Sequence, residues 1–95
     1  MYDKGVYLMY ECKFIELLIN NGLIDIYFAD IDSQKVLYEC KSAEDFNNFC
    51  EFFVIKHNAE ISQKIALNDF LGKCFNIAEN YDTENIVARV KGLEI

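Results

Sequence analysis

The chain divides by the spacing of its apolar residues. From Val6 to Asn20 it is almost continuously apolar. Val6, Leu8 and Tyr10 alternate as a strand would, whereas Phe14, Leu17 and Leu18 keep helical spacing and Asn21-Gly22 supplies a C-terminal stop. The reading is a short strand to about Tyr10 and a helix from about Glu11 to Asn20, with a single helix from Lys4 onward as the competing assignment. Next, Ile24, Ile26 and Phe28 alternate with Asp25, Tyr27 and Ala29, and Val36, Tyr38 and Cys40 alternate with Leu37, Glu39 and Lys41. Two period-two runs joined by Asp30-Ile31-Asp32-Ser33-Gln34 predict a β-hairpin. A register opposing Phe28 to Val36, Ile26 to Tyr38 and Ile24 to Cys40 places all six on one face, and a one-residue slip would bring Glu39 onto it.

Ser42-Ala43-Glu44-Asp45 has the form of a capping box, with Ser42 as N-cap and Asp45 three residues on. The helix it opens carries Phe46, Phe49, Cys50, Phe53 and His57 in one stripe. Asn58 is read as the cap of a further helix from about Glu60 to about Asn80. There Ile61, Ile65, Leu71, Phe75 and Ala78 form one row, widened by Leu67, Phe70, Cys74 and Ile77. Asp82-Thr83 makes a turn, and Ile86 to Lys91 alternates as a final strand. The expected order is (β)αββααβ, an α+β fold: a small antiparallel sheet, built from the central β-hairpin and a C-terminal strand, packed by two or three helices. That order approaches the βαββαβ arrangement of ferredoxin-like folds, which host too many activities to predict one.

No proline, Ser/Gly-rich linker, repeat or low-complexity run interrupts residues 1–95, so a single domain is expected. Hydrophobic residues make up 53% of the chain and aromatics 15%, too apolar for disorder and enough for a core that needs no metal or disulfide. The start of the chain carries no basic signal-peptide region, and Val6 to Tyr10 is too short to span a membrane. Cys12, Cys40, Cys50 and Cys74 form no CxxC pair and sit within apolar patterns, as free cysteines in a reducing cytoplasm do.

Sixteen acids oppose nine bases, for a net charge of −7, with Arg89 the only arginine. Nucleic-acid binders concentrate Lys and Arg to neutralise phosphates, so direct DNA or RNA binding is not expected. Repulsion from anionic membranes follows on the same ground. A basic protein partner is favoured instead, since opposite charge speeds encounter. Residues with AT-rich codons far outnumber Gly, Ala, Arg and Pro, the skew of an AT-rich genome such as those of low-GC bacteria, their phages and mobile elements.

Candidate chemistry is sparse. Asp30-x-Asp32-x-Gln34 begins like a calcium loop, but Lys35 and Lys41 stand where glycine and a bidentate glutamate are required. Cys50 and His57 on one helix lie roughly 10 Å apart along its axis, beyond the reach of about 3 Å that a nucleophile and its base need. His57 is read as a helix C-terminal residue interacting with the dipole. The Cys and His residues are too widely spaced for a zinc site, and the glycines form no phosphate loop. No catalytic residue, metal or cofactor is expected.

Acids do gather in the hairpin and the following helix. On the proposed register Asp25 and Glu39 face each other on the outer side, a repulsion that a basic partner would relieve, with Tyr27 and Leu37 beside them. Asp25, Tyr27, Asp30, Asp32, Glu39 and Glu44 are the expected contact residues. The expected function is that of a small acidic intracellular binding protein, phage or mobile-element encoded, an inhibitor or immunity-type protein that occupies a basic surface of a nucleic-acid-handling protein. The alternative is a homo-oligomeric structural or accessory subunit, burying the wide apolar face of the later helix against a second copy. An enzyme using one of the cysteines is the remaining class.

Overall fold

The computed structural model describes residues 2–79, with side chains from Tyr10 onward. Every regular element among them is a helix: α1 (Tyr2–Asn20), α2 (Ile24–Phe28), α3 (Ile31–Tyr38), α4 (Ala43–Lys56), α5 (Asn58–Ser62) and α6 over residues 67–79. The α+β class and the ferredoxin-like order are therefore wrong for this part of the chain. The proposed first strand lies inside α1, which is the competing single-helix assignment. The expected turn at Asp82-Thr83 and final strand over 86–91 lie outside the described residues.

The hairpin is replaced by two short helices, and burial shows why. Leu23, Tyr27, Asp30, Ser33, Leu37 and Cys40 are all buried. They fall three or four residues apart, the spacing of a helical face carried across the α2–α3 junction. Two members of that row are polar, so the apolar residues alone show only the weaker period of two. Of the six residues assigned to the inner sheet face, Cys40 is buried and Ile24 and Ile26 are half-buried against the core. Phe28, Val36 and Tyr38 are exposed.

Local signals elsewhere act as expected. Gly22 takes φ +69 just beyond α1, a conformation glycine adopts without a Cβ clash. The Leu23 N–H reaches Leu18 O at 2.8 Å and the Gly22 N–H reaches Ile19 O at 3.1 Å, the paired bonds of a Schellman stop. At the start of α4, Ser42 Oγ accepts from the Asp45 N–H at 3.1 Å, while Asp45 Oδ2 accepts from the Lys41 N–H at 2.9 Å. The single long helix expected from Glu60 to Asn80 is instead broken. α5 closes at Ser62, residues 63–66 turn, and Ala66 O accepts from the Phe70 N–H as α6 begins. Asn58 does not cap α5; its side-chain amide donates to Ile55 O at 2.7 Å, closing the end of α4.

The core is an aromatic cluster centred on Phe14 of α1. Its ring meets Phe49 and Phe53 edge-on at 5.1 and 5.2 Å, with Tyr27 at 5.7 Å, Phe46 at 6.1 Å and Phe70 at 6.4 Å around it. Edge-to-face contacts of this kind add to the stabilisation from area burial. Phe46, Phe49, Cys50 and Phe53 come from the stripe read on α4, and Phe70, Cys74 and Ala78 close the cluster from α6. No helix among the described residues is long and apolar enough to cross a membrane.

Candidate functional site

Two features stand apart from the aromatic core: a polar cluster at the helix junctions, and the exposed face of α2 and α3.

The cluster is built on Asp30, the N-cap of α3. Its Oδ1 accepts from the Ser33 N–H at 3.0 Å and its Oδ2 from the Ser33 hydroxyl at 2.6 Å. From the far end of α4, Lys56 Nζ donates to Oδ1 at 2.9 Å and His57 Nε2 lies 2.6 Å from Oδ2. Burial alone would raise the Asp30 pKa. The Ser33 hydroxyl, Lys56, His57 and the Ser33 N–H outweigh it and hold the carboxyl well below the usual carboxylate range. An ionised Asp30 can only accept, so His57 Nε2 carries the proton between them. Behind it the His57 ring packs against that of Phe53, tilted by 50° with centroids 4.7 Å apart, and its Nδ1 faces Glu60 at 3.6 Å.

Serine, aspartate and histidine thus meet, but in an order that does not make a hydrolytic triad. The Ser33 hydroxyl and His57 both bond to the carboxylate, so His57 is not placed to take the hydroxyl proton, and Ser33 is fully buried. The arrangement ties the α2–α3 junction to the α4–α5 junction. It also occupies the first residue of the calcium-loop-like stretch. Gln34 is engaged too, donating to Tyr27 O and Phe28 O at 2.9 and 3.1 Å, where it satisfies the last carbonyls of α2.

The six expected contact residues separate accordingly. Asp25 on α2, Asp32 on α3 and Glu39 at the end of α3 are exposed, as is Glu44 in the first turn of α4. Asp30 is buried in the cluster. Tyr27 is 3% exposed and packs on Phe14 and Phe53, not on an outer sheet face. Burial first, and then the Glu11 carboxylate, push its phenol up to about 12. The cross-strand repulsion read between Asp25 and Glu39 has no hairpin to act through. Leu37, expected beside them, is buried.

Some of the acidity has a local cause: Asp25, Asp32, Glu44 and Asp45 lie in first turns, where carboxylates are favoured by the helix dipole. Glu39 is the reverse. It is the C-cap of α3, where its negative charge adds to the negative end of the helix.

The hairpin reading concealed the apolar residues of this face. Phe28, Ile31 and Tyr38 are 60%, 64% and 70% exposed, and all three border an open hollow of about 340 Å³ between α1, α2 and α3. Large side chains held this far into water mark interaction surfaces when they cluster. Helical periodicity would have revealed them, since Ile31, Lys35 and Tyr38 are spaced along α3 opposite its buried row. Of the four cysteines, all free, Cys40, Cys50 and Cys74 are buried and Cys12 is exposed. Burial pushes the Cys40 thiol up to about 11 and raises that of Cys50 further.

The chain matches no protein-family model, no curated protein and no solved structure.

Proposed function

We propose that the chain is a small acidic binding protein whose α2–α3 face docks on a basic protein surface, acting in the cytoplasm as an inhibitor or immunity-type protein of a nucleic-acid-handling partner. The observation that carries the reading is the exposure of Phe28, Ile31 and Tyr38 on the helices that also present Asp25, Asp32 and Glu39. Exposed aromatic and aliphatic groups within a charged rim have the composition of a protein-docking surface. With a net charge of −7, that surface attracts a basic partner and repels nucleic acid directly.

The same exposed apolar groups favour a second reading, a homo-oligomer that buries them against another copy. Electrostatics weighs against self-docking through this face, because a symmetric contact returns each acid toward its own kind.

Affinity capture with the full chain, washed at low and then high salt, tests the proposal once the captured protein is purified and its affinity measured. A basic partner whose affinity falls steeply with salt supports it. A chain that recovers only itself, with a dimeric mass at micromolar concentration, overturns it in favour of self-association.

A further inference from the structure

The hollow at the centre of this face has a composition that selects its occupant, and the inference from it rests on the docking reading above. Glu11 of α1 and Glu39 of α3 line it from two sides, with Lys35 the single cation among the described lining residues. Phe28, Ile31 and Tyr38 stand exposed at its rim, and the buried Tyr27 forms its floor. Tyr27 packs its ring on the core, and its hydroxyl has no hydrogen-bond partner among the described residues. The Glu11 carboxylate that shares the hollow adds to burial in raising the pKa of that phenol. The Tyr27 hydroxyl oxygen is not among the buried polar atoms left without a partner. This otherwise buried side chain therefore keeps its hydroxyl open to solvent, and Tyr27 lines an acidic, aromatic-edged space.

Two carboxylates against one ammonium among the described lining residues disfavour an anion. A purely apolar group would strip water from both carboxylates and the phenol oxygen without replacing their bonds. A cation satisfies them, and it also relieves the carboxylate that Glu39 sets at the negative end of α3. Between the two cationic side chains, the guanidinium is flat, weakly hydrated and stacks on aromatic faces, while its several N–H groups serve acceptors on more than one side. The volume lies at the low end of the range for binding pockets and suits one side chain.

We propose that this hollow receives an arginine side chain of the basic partner, its guanidinium donating to the Glu11 and Glu39 carboxylates and to the Tyr27 phenol oxygen, with the Phe28 and Tyr38 rings against its faces. Arginine enters as the anchor of the interface, surrounded by the weaker charge contacts of Asp25 and Asp32.

The test is an NMR titration of the isotopically labelled full chain with N-acetyl-arginine-N-methylamide, against its lysine counterpart and its neutral citrulline counterpart. The proposal predicts saturable shifts centred on Glu11, Tyr27, Gln34 and Glu39, and binding of citrulline weaker by roughly tenfold or more. Tyr27→Phe and Glu39→Gln each weaken the arginine probe by about threefold or more while the thermal melt shows no loss of stability. Shifts that fail to saturate, that scatter over acids elsewhere, or that are equal for lysine or citrulline overturn it.

The two proposals fail separately. A purified partner weakened by Asp32→Lys but bound fully by Glu39→Gln and Tyr27→Phe leaves the docking face and removes the arginine hollow. A partner indifferent to all three removes both.

Discussion

His57 Nε2 lies 2.6 Å from Asp30 Oδ2, joining residues 27 positions apart across the two helix junctions. The contact is what allows a polar residue to occupy the buried row of α2 and α3. Asp30 has only 7% of its side chain exposed and His57 15%, whereas Lys56 keeps 38% in water. The first two are therefore the pair most dependent on one another. Breaking a fully buried charge pair costs roughly 3–5 kcal/mol, and the partial exposure of Lys56 lowers the figure here. Asp30→Asn and His57→Gln are each expected to cost about 2 kcal/mol in urea unfolding, with the double variant losing clearly less than the sum. Strict additivity would show that the two side chains do not stabilise the fold through one another.

The same carboxyl sets a pH dependence. Its pKa in the folded chain is depressed below the unfolded value of about 3.9. Its contribution is therefore present above about pH 4 and is lost as pH falls further, when the folded state must take up the proton. Thermal unfolding followed from about pH 5 to pH 3 is expected to show a falling midpoint. Asp30→Asn, which has no proton to take up, should be less stable at the upper end and show a shallower decline. Parallel curves for the two proteins would assign the acid sensitivity to other carboxylates.

Phe28 separates the helical fold from the hairpin that the alternating pattern suggests. As an inward strand residue it would lose about 3 kcal/mol or more on truncation. As an exposed residue of α2, 60% in water, Phe28→Gln is expected to change stability by no more than about 0.5 kcal/mol. A far-UV spectrum dominated by helix should accompany that small change.

Glu39 is expected to hold stability and binding in opposition. Removing its charge from the end of α3 should stabilise the chain by about 0.3–0.5 kcal/mol. The same Glu39→Gln variant should weaken capture of the basic partner. A variant that is neutral or destabilising would show that the carboxylate is compensated within the fold.

Local signals were legible in the sequence and the architecture was not. Gly22 and Ser42 mark helix ends through backbone geometry and a side-chain bond close in sequence, so each can be read without knowing the rest of the fold. The α4 stripe was equally plain, because Phe46, Phe49, Cys50 and Phe53 are all apolar and all buried. The stretch from Leu23 to Cys40 failed because its buried row includes Asp30 and Ser33, whose partners Lys56 and His57 arrive from a different part of the chain. A polar residue reads as a surface residue until its buried partners are known. Misplacing that row turned Phe28, Val36 and Tyr38 inward and Tyr27 outward. It hid the hydrophobic part of the candidate face while leaving its acids, Asp25, Asp32 and Glu39, in view. The break between α5 and α6 was missed for another reason: no proline or glycine marks residues 63–66.

The most direct test of the docking face compares two charge reversals of equal size, Asp32→Lys on α3 and Asp69→Lys on α6, both at exposed positions. Affinity for the purified basic partner is measured by calorimetry at low and high salt. The account predicts that Asp32→Lys weakens binding about tenfold or more at low salt and reduces its salt dependence, while Asp69→Lys changes it little. Equal losses from both would mean that net charge alone attracts the partner and would contradict a docking site on α2 and α3.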